Sequence, residues 1–432
     1  MRIILTLTLL ISTLLSWSSD FYWVGNDGQW SDFQNHWATS SGGTEFHDTV
    51  PSKFDNVFFD QNSVDKTAAI VLDENANTVC ANLDASQLQF ELAINTPLSF
   101  GSFITVHGDL KLNPFFAANS SPQLYIDIIY SDSISIDIET NNDIIGIFLG
   151  AEKSALGIVN LQSDLRSDEM NFHIAEKVNF RSNGYDINVQ SFSAGDSCHL
   201  DVSNSRITTS SIELSNSVQL TDFQSEFESI TCNTNGVPLS KLTVNPSFFS
   251  EINSNSSFDT LIVNSKWLAF SDSIVINIGH LVVNSSSTDT VALNDGFRGI
   301  ANNITINFTK NSFCGDYLII QNIKTIGATA YAGDNSQDNG GNSGWIFNNC
   351  ITAIDEDQFS DPIQVYPTNV EDEIHIISKA NIREVKIYSS DGALIDQIDT
   401  SQSINMSAYK AGIYLLYIVT NKEVSIQRVR KI

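Results

Sequence analysis

Two turn-rich segments carry carboxylates of the kind that hold a hard cation. Asp334 and Asp338 lie beside Asn335, Asn339 and Asn342 in a Gly-rich run, and Asp55 is followed closely by Asp60. Oxygen donors on such loops suit calcium. The same residues also build tight turns, and the strict spacing of known calcium loops is missing. Calcium is therefore the single cofactor these residues suggest.

Residues for catalysis are sparser. His107, His173, His199 and His280 are scattered, none at a metal-ligand spacing. The sequence has no Gly-x-Ser-x-Gly elbow and no phosphate loop. Polysaccharide lyases and hydrolases need carboxylates, or calcium-binding Asp beside a basic residue, gathered on one face. No Asp-Asp pair with a following Gly-His-Gly or Arg-x-Lys occurs, and Gly279-His280-Leu281 lacks that context. No catalytic residue is assigned, although a site assembled from distant segments would escape a linear search.

The elements that would position any site are short strands. The chain has 432 residues, 50 of them acidic and 22 basic, for a net charge of −28 although only 17% are charged. So negative a surface repels nucleic acid and anionic membranes before contact. The charge is unevenly placed: residues 362–432 hold as many bases as acids, so all of it precedes them. The acidic, aperiodic residues 352–361 read as a linker between two units.

Met1-Arg2 and the apolar run Ile3 to Leu15 form a secretory signal. Ser16-Trp17-Ser18 puts small residues at −3 and −1 of a cut between Ser18 and Ser19. No later stretch is long and apolar enough for a membrane helix, so no transmembrane span is expected. The five cysteines form no C-x-x-C pair. In an oxidising compartment Cys314 can pair with Cys350 and Cys198 with Cys232, leaving Cys80; the alternative is five small buried apolar residues.

A phrase of alternating apolar residues closed by Asn recurs at Leu110–Asn113, Leu242–Asn245, Leu261–Asn264, Leu281–Asn284 and Ile304–Asn307, the last four starting about 20 residues apart. Such a period is the pattern of stacked coils in a parallel β-solenoid, with Asn at tight corners where it tolerates left-handed backbone and bonds the Asn of the next coil. Both ends of a solenoid must be closed, because bare strand edges recruit other chains. Trp23, Trp30 and Trp37 at seven-residue spacing form an aromatic lid over residues 19–69, and the solenoid occupies residues 70–351.

Two resemblances follow. Trp23-Val24-Gly25, Gly28-Gln29-Trp30 and Trp37, then Pro51 and Asp55-Asn56-Val57-Phe58, resemble the opening of exported bacterial β-helix surface proteins, and the Gly/Asn-rich loop before Gly344-Trp345-Ile346-Phe347 resembles their close. In the tail, Tyr366-Pro367, Ile374-x-Ile376, Val385-x-Ile387-Tyr388, Asp391-Gly392, Ile404 to Ser407, Gly412-Ile413-Tyr414-Leu415 and a basic end at Arg428 to Ile432 resemble the type A C-terminal sorting domain of the bacterial type IX secretion system. One departure is plain: the family's second Pro after Tyr-Pro is absent from Tyr366-Pro367-Thr368-Asn369.

That resemblance implies a small immunoglobulin-like sandwich over residues 362–432. It implies recognition by the type IX machinery, transit to the outer surface of a Gram-negative cell, then attachment to surface polysaccharide or release. The function expected is non-catalytic adhesion or binding of carbohydrate or matrix. A polysaccharide-degrading β-helix enzyme and a structural surface spacer are the alternatives.

Overall fold

A computed structural model describes residues 18–72, 78–95, 102–117, 124–130, 132–139, 144–151, 157–244, 249–294, 301–350, 363–378, 380–389, 392–399, 402–421 and 424–432. The chain divides into two compact units, Met1–Cys350 and Ile351–Ile432. The signal segment up to residue 17, the linker at 352–361 and Asp391 lie outside the described residues.

The first unit is a parallel β-solenoid. Along one sheet, rows of short strands pair in parallel register from Asp20–Trp23 through Asn56–Phe58, Leu83–Ala85, Leu110–Leu112, Ile134–Ile138, Val159–Leu161, Asn179–Arg181 and His199–Asp201 to Gln219–Thr221. Alternation sets which side chains point inward. Leu110 and Leu112 are buried while Lys111 is exposed, and the same parity holds across Ile134–Ile138.

The coil changes length along the stack. Early rows return at Val57, Leu83, Leu110 and Ile136, 26 or 27 residues apart; later ones return at Phe180, Leu200 and Leu220, 20 apart. Early coils use a strand on each of three faces, including a four-stranded sheet through Gly28–Gln29, Ala68–Val71, Leu92–Asn95 and Phe116–Ala117. Later coils merge two of these strands into one, such as Leu165–Ile174, which bends where its register shifts between Ser167 and Asn171.

Three of the five phrases keep their strands in register, and Asn245, which closes one of them, lies outside the described residues. Leu242, Leu261 and Leu281 stack in register, and Asn284 Nδ2 donates to Asn264 Oδ1 at 2.5 Å. Ile304–Asn307 instead pairs with Ile323–Ile326 and with Val275–Asn277, the opening half of the strand that ends in Leu281–Val283. Leu110–Leu112 belongs to the ten-stranded sheet. Left-handed backbone falls at other positions, among them a corner column at Asn183, Asn204 and Gln224 with φ of 55°, 62° and 56°. Inside that corner Ser205 Oγ donates to Ser182 Oγ at 2.8 Å, a buried hydroxyl pair.

The residues expected to form a separate lid are the first rows of the stack. Asp20–Trp23 pairs in parallel with Asn56–Phe58, and Trp37–Ala38 covers its outer edge antiparallel. At the opposite end Cys314 and Cys350 are disulfide-bonded. Cys198 and Cys232 do not pair: each points into the core from its own coil, as Cys80 does, and all three are buried.

The second unit is a two-sheet sandwich. Gln364–Tyr366, Glu373–Ile377 and Ser403–Asn405 form one antiparallel sheet. Asn369–Val370, Val424–Lys431, Gly412–Thr420, Ile382–Ser389 and Leu394–Asp399 form the other. Gly412–Thr420 is central but one-faced: Tyr414, Leu416 and Ile418 are buried while Leu415, Tyr417 and Val419 are half-buried. Its core joins Val370, Ile374, Val385, Ile387, Leu416 and Ile418.

Candidate functional site

Where one outward-facing stretch of the solenoid carries aromatic side chains, successive coils stack them. Phe103 lies beside Tyr125 in register, with rings 5.3 Å apart and stacked. Tyr125 meets Phe148 at 5.5 Å, and Phe148 meets His173 at 5.6 Å, its register partner on the next coil. These residues stand at the outward parity of strands whose inward residues are Ile104, Ile126, Ile147 and Phe172, all in the core. Parallel pairing at about 4.8 Å per coil sets the interval at which rings can follow one another.

Gly146 is what lets the column close up. It is the register partner of Tyr125, and a Cβ there would lie 2.5 Å from Tyr125 Cδ1 and 2.9 Å from Phe148 Cε2. The tyrosine ring therefore lies over bare backbone, an aromatic covering a cross-strand glycine. Phe103, at 47% exposure, leaves the outer end open to solvent.

Beyond the aromatics the same rows turn polar. His173 pairs with Ser193 and Ser193 with Glu213; Asn171 pairs with Ser191 and Ser191 with Ser211. His173 Nδ1 lies 2.8 Å from Ser193 Oγ, and Ser191 Oγ donates to Asn171 Oδ1 at 2.5 Å. A groove on this face is lined by His173, Glu176, Lys177, Ser193, Asp196 and Glu213. Asp127, in register with Phe148, has its carboxyl raised above the usual range by desolvation. Asp196 is lowered by hydrogen bonds from Ser215 and Ser217.

Elsewhere Glu226 receives both Arg206 and Lys241, and the Lys241 hydrogen bond does most to lower its carboxyl. Both its oxygens are occupied by cations, which keeps it ionised and unsuited to accept a proton. Of the calcium candidates, Asp334 accepts the Asn349 amide at 3.0 Å and its side chain as well, while Asp338 accepts from the Gly340 amide at 2.9 Å and Asn342 Nδ2 at 2.6 Å. Asp55 accepts the amides of Ser19 and Ser52, and Asp60 that of Asn62. Among the described residues no group of three or more His, Cys, Asp or Glu is arranged to hold a metal ion.

In the second unit, Tyr366 is exposed against His375 at 5.4 Å, and its bond to Pro367 is cis. Tyr388 is half-buried between Leu394 and Leu415 on neighbouring strands. Gly392 has φ of 86° and its amide donates to Ser389 O at 3.0 Å, so it closes the turn as its fourth residue, next to a bulge, instead of sitting at its centre. Gly412 opens the central strand, Ile413 is 37% exposed, and Tyr414 donates its hydroxyl to Lys410 O at 2.9 Å. These residues lie in the folded sandwich, where Tyr366 lines one surface pocket and Tyr414 another. Ser18 is exposed and Ser19 half-buried at the start of the described chain.

Fold and tail together define a β-solenoid carrying an export address. Residues 364–431 match the family described as the secretion system C-terminal sorting domain. The chain is thus one sorted by the type IX secretion system, whose machinery it engages, and it is exported to the cell surface or beyond. No curated protein and no solved structure matches it. Among the described residues no helix is long and apolar enough to cross a membrane.

Proposed function

We propose that the solenoid is a binding body displayed outside a Gram-negative cell, where it adheres to carbohydrate or other matrix without altering it. The observation that carries this reading is the outward column of Phe103, Tyr125, Phe148 and His173. Rings placed outside a strand core add nothing to that core and offer apolar surface on which sugars and partner proteins can pack. The route begins with removal of the signal segment before Ser19. It continues through outer-membrane passage directed by the sandwich and ends in anchoring to surface polysaccharide or release.

The test has two arms. Deleting residues 366–432 and locating the protein should trap it inside the cell; normal surface display would sink the route. Incubating the mature protein with a glycan array, a matrix-protein panel and a reducing-sugar assay should give retention without sugar release. Release of sugar from any polymer would replace binding with catalysis.

A further inference from the structure

The aromatic column and the polar rows that continue it belong to one flat face, and their chemistry selects a class of ligand. We infer that this face seats a strand of uncharged polysaccharide lying along the stack of coils, a deepening that rests on the binding function proposed above. The apolar part supplies aromatic rings near the inter-coil interval: Phe103 beside Tyr125, Tyr125 beside Phe148, Phe148 beside His173, each 5.3 to 5.6 Å from the next. A polymer of pyranose rings presents C–H faces at a comparable repeat, so neighbouring sugars can meet neighbouring rings without bending.

The polar part supplies hydroxyl partners in the same register. Asn171, Ser191, His173 and Ser193 already bond one another in pairs, which fixes their side chains before a ligand arrives. Hydroxyls and amides of this kind match sugar hydroxyls and carry no charge of their own.

Charge on the flanks decides against acidic polymers. Asp127 stands in register with Phe148, and Glu176, Asp196 and Glu213 line the groove at the far end, where Lys177 is the one base among the lining residues. Coming on top of a chain charge of −28, these carboxylates repel uronic-acid and sulfated chains both at long range and in contact. An uncharged strand meets no such penalty. Gly146 makes the face specific to this stretch, since any side chain there would push Tyr125 off Phe148 and open the column.

The mature protein tests this in affinity electrophoresis through gels containing hydroxyethylcellulose, galactomannan or glycogen, with polygalacturonate as the acidic comparison. Retardation is expected from at least one uncharged polymer, insensitive to salt, and none from polygalacturonate. Replacing both Phe103→Ala and Phe148→Ala should weaken that retardation at least about tenfold. The melting temperature should stay close to that of the unaltered protein, since Phe103 is exposed and Phe148 only half-buried. Phe223→Ala, 66% exposed and outside these rows, should change nothing.

Retardation by polygalacturonate equal to that by the uncharged polymers, or full retardation of the Phe103/Phe148 double variant, overturns the inference and leaves a broader glycan-binding role standing. Binding to matrix proteins with no retardation by any uncharged polymer likewise overturns the inference alone. Failure to bind any glycan or matrix protein removes the binding function itself.

Discussion

The two ends of the solenoid solve the same problem with different chemistry. At the front, Trp23, Trp30 and Trp37 are all fully buried with Phe59, in edge-to-face contacts of 5.0 and 4.8 Å, and the outer strand is covered antiparallel by Trp37–Ala38. At the back, Phe308, Phe313 and Trp345 form a smaller cluster in which Trp345 is only half-buried, and the Cys314–Cys350 disulfide ties the last segment down. A large aromatic core closes an end by burial alone. Where little area is available, covalent closure substitutes for it.

Breaking the front closure should have the largest effect. Trp37→Ala removes a ring packed against Trp23, Trp30 and Phe59, together with the 2.8 Å bond from its Nε1 to Trp30 O. A loss of about 3–5 kcal/mol is expected for a fully buried large aromatic. Urea denaturation followed by tryptophan fluorescence measures it, and a loss below that of the disulfide would reverse the ranking of the two ends.

Breaking the back closure comes next. Cys350→Ser opens a loop of sequence separation 36, for which the chain-entropy estimate is about 3–4 kcal/mol. Thiol counting sharpens this prediction. Burial pushes the Cys232 thiol up to about 12 and raises Cys80 and Cys198 as well, so these three stay protonated and shielded. Mild reduction of the folded protein should expose only Cys314 and Cys350 to alkylation, with the others reacting after unfolding. Early labelling of Cys198 or Cys232 would contradict their placement.

How much of this was legible beforehand depends on whether one coil or several had to be known. The seven-residue Trp spacing marked the front closure, and Cys314 with Cys350 was one of two pairings open. Cys198 with Cys232 was the other, and it failed because each thiol is buried in the core from a different coil. The Asn phrase marked the solenoid, yet Ile304–Asn307 sits out of register with its predecessors, because a strand bent around a corner hides where one face ends. The aromatic column was missed altogether. Its only linear trace is an aromatic at outward parity once per coil, and that parity is readable only after the inward positions are fixed. The tail was the easiest part to read, because its hairpins are local in sequence and its motifs keep a fixed order.

A smaller effect at the front tests maturation against folding. The Ser19 backbone nitrogen lies 3.0 Å from Asp55 Oδ1, and Asp55, only 9% exposed, also receives the Ser52 amide at 2.9 Å and the Ser52 hydroxyl at 2.5 Å. A cut between Ser18 and Ser19 turns that nitrogen into an α-ammonium and the contact into a charge-assisted bond. Mass spectrometry of the exported protein should find Ser19 first. Asp55→Asn should cost about 1–2 kcal/mol in the mature form and less when Ser18 is retained. Equal losses in both forms would show that the ammonium adds nothing.

The smallest predicted difference is in acid, and it concerns the back end. Desolvation raises the Asp316 carboxyl, but hydrogen bonds from the Asn335 side chain at 2.7 Å, the Asn335 amide at 2.9 Å and the Tyr317 amide at 3.0 Å together outweigh it, and the net shift is downward. A carboxyl lowered by folding stabilises the folded state above its unfolded value, near 4, and loses that contribution as pH falls through the lower folded value. The back end should therefore loosen below about pH 4 before the Trp-packed front does. Hydrogen exchange at pH 3 and pH 7 can compare amides in Leu318–Ile320 with those in Asp20–Trp23. Asp316→Asn should remove the difference at its own end, since an amide in that position no longer titrates. Equal acid sensitivity at both ends would mean that the Asp316 carboxylate does not set the back end apart.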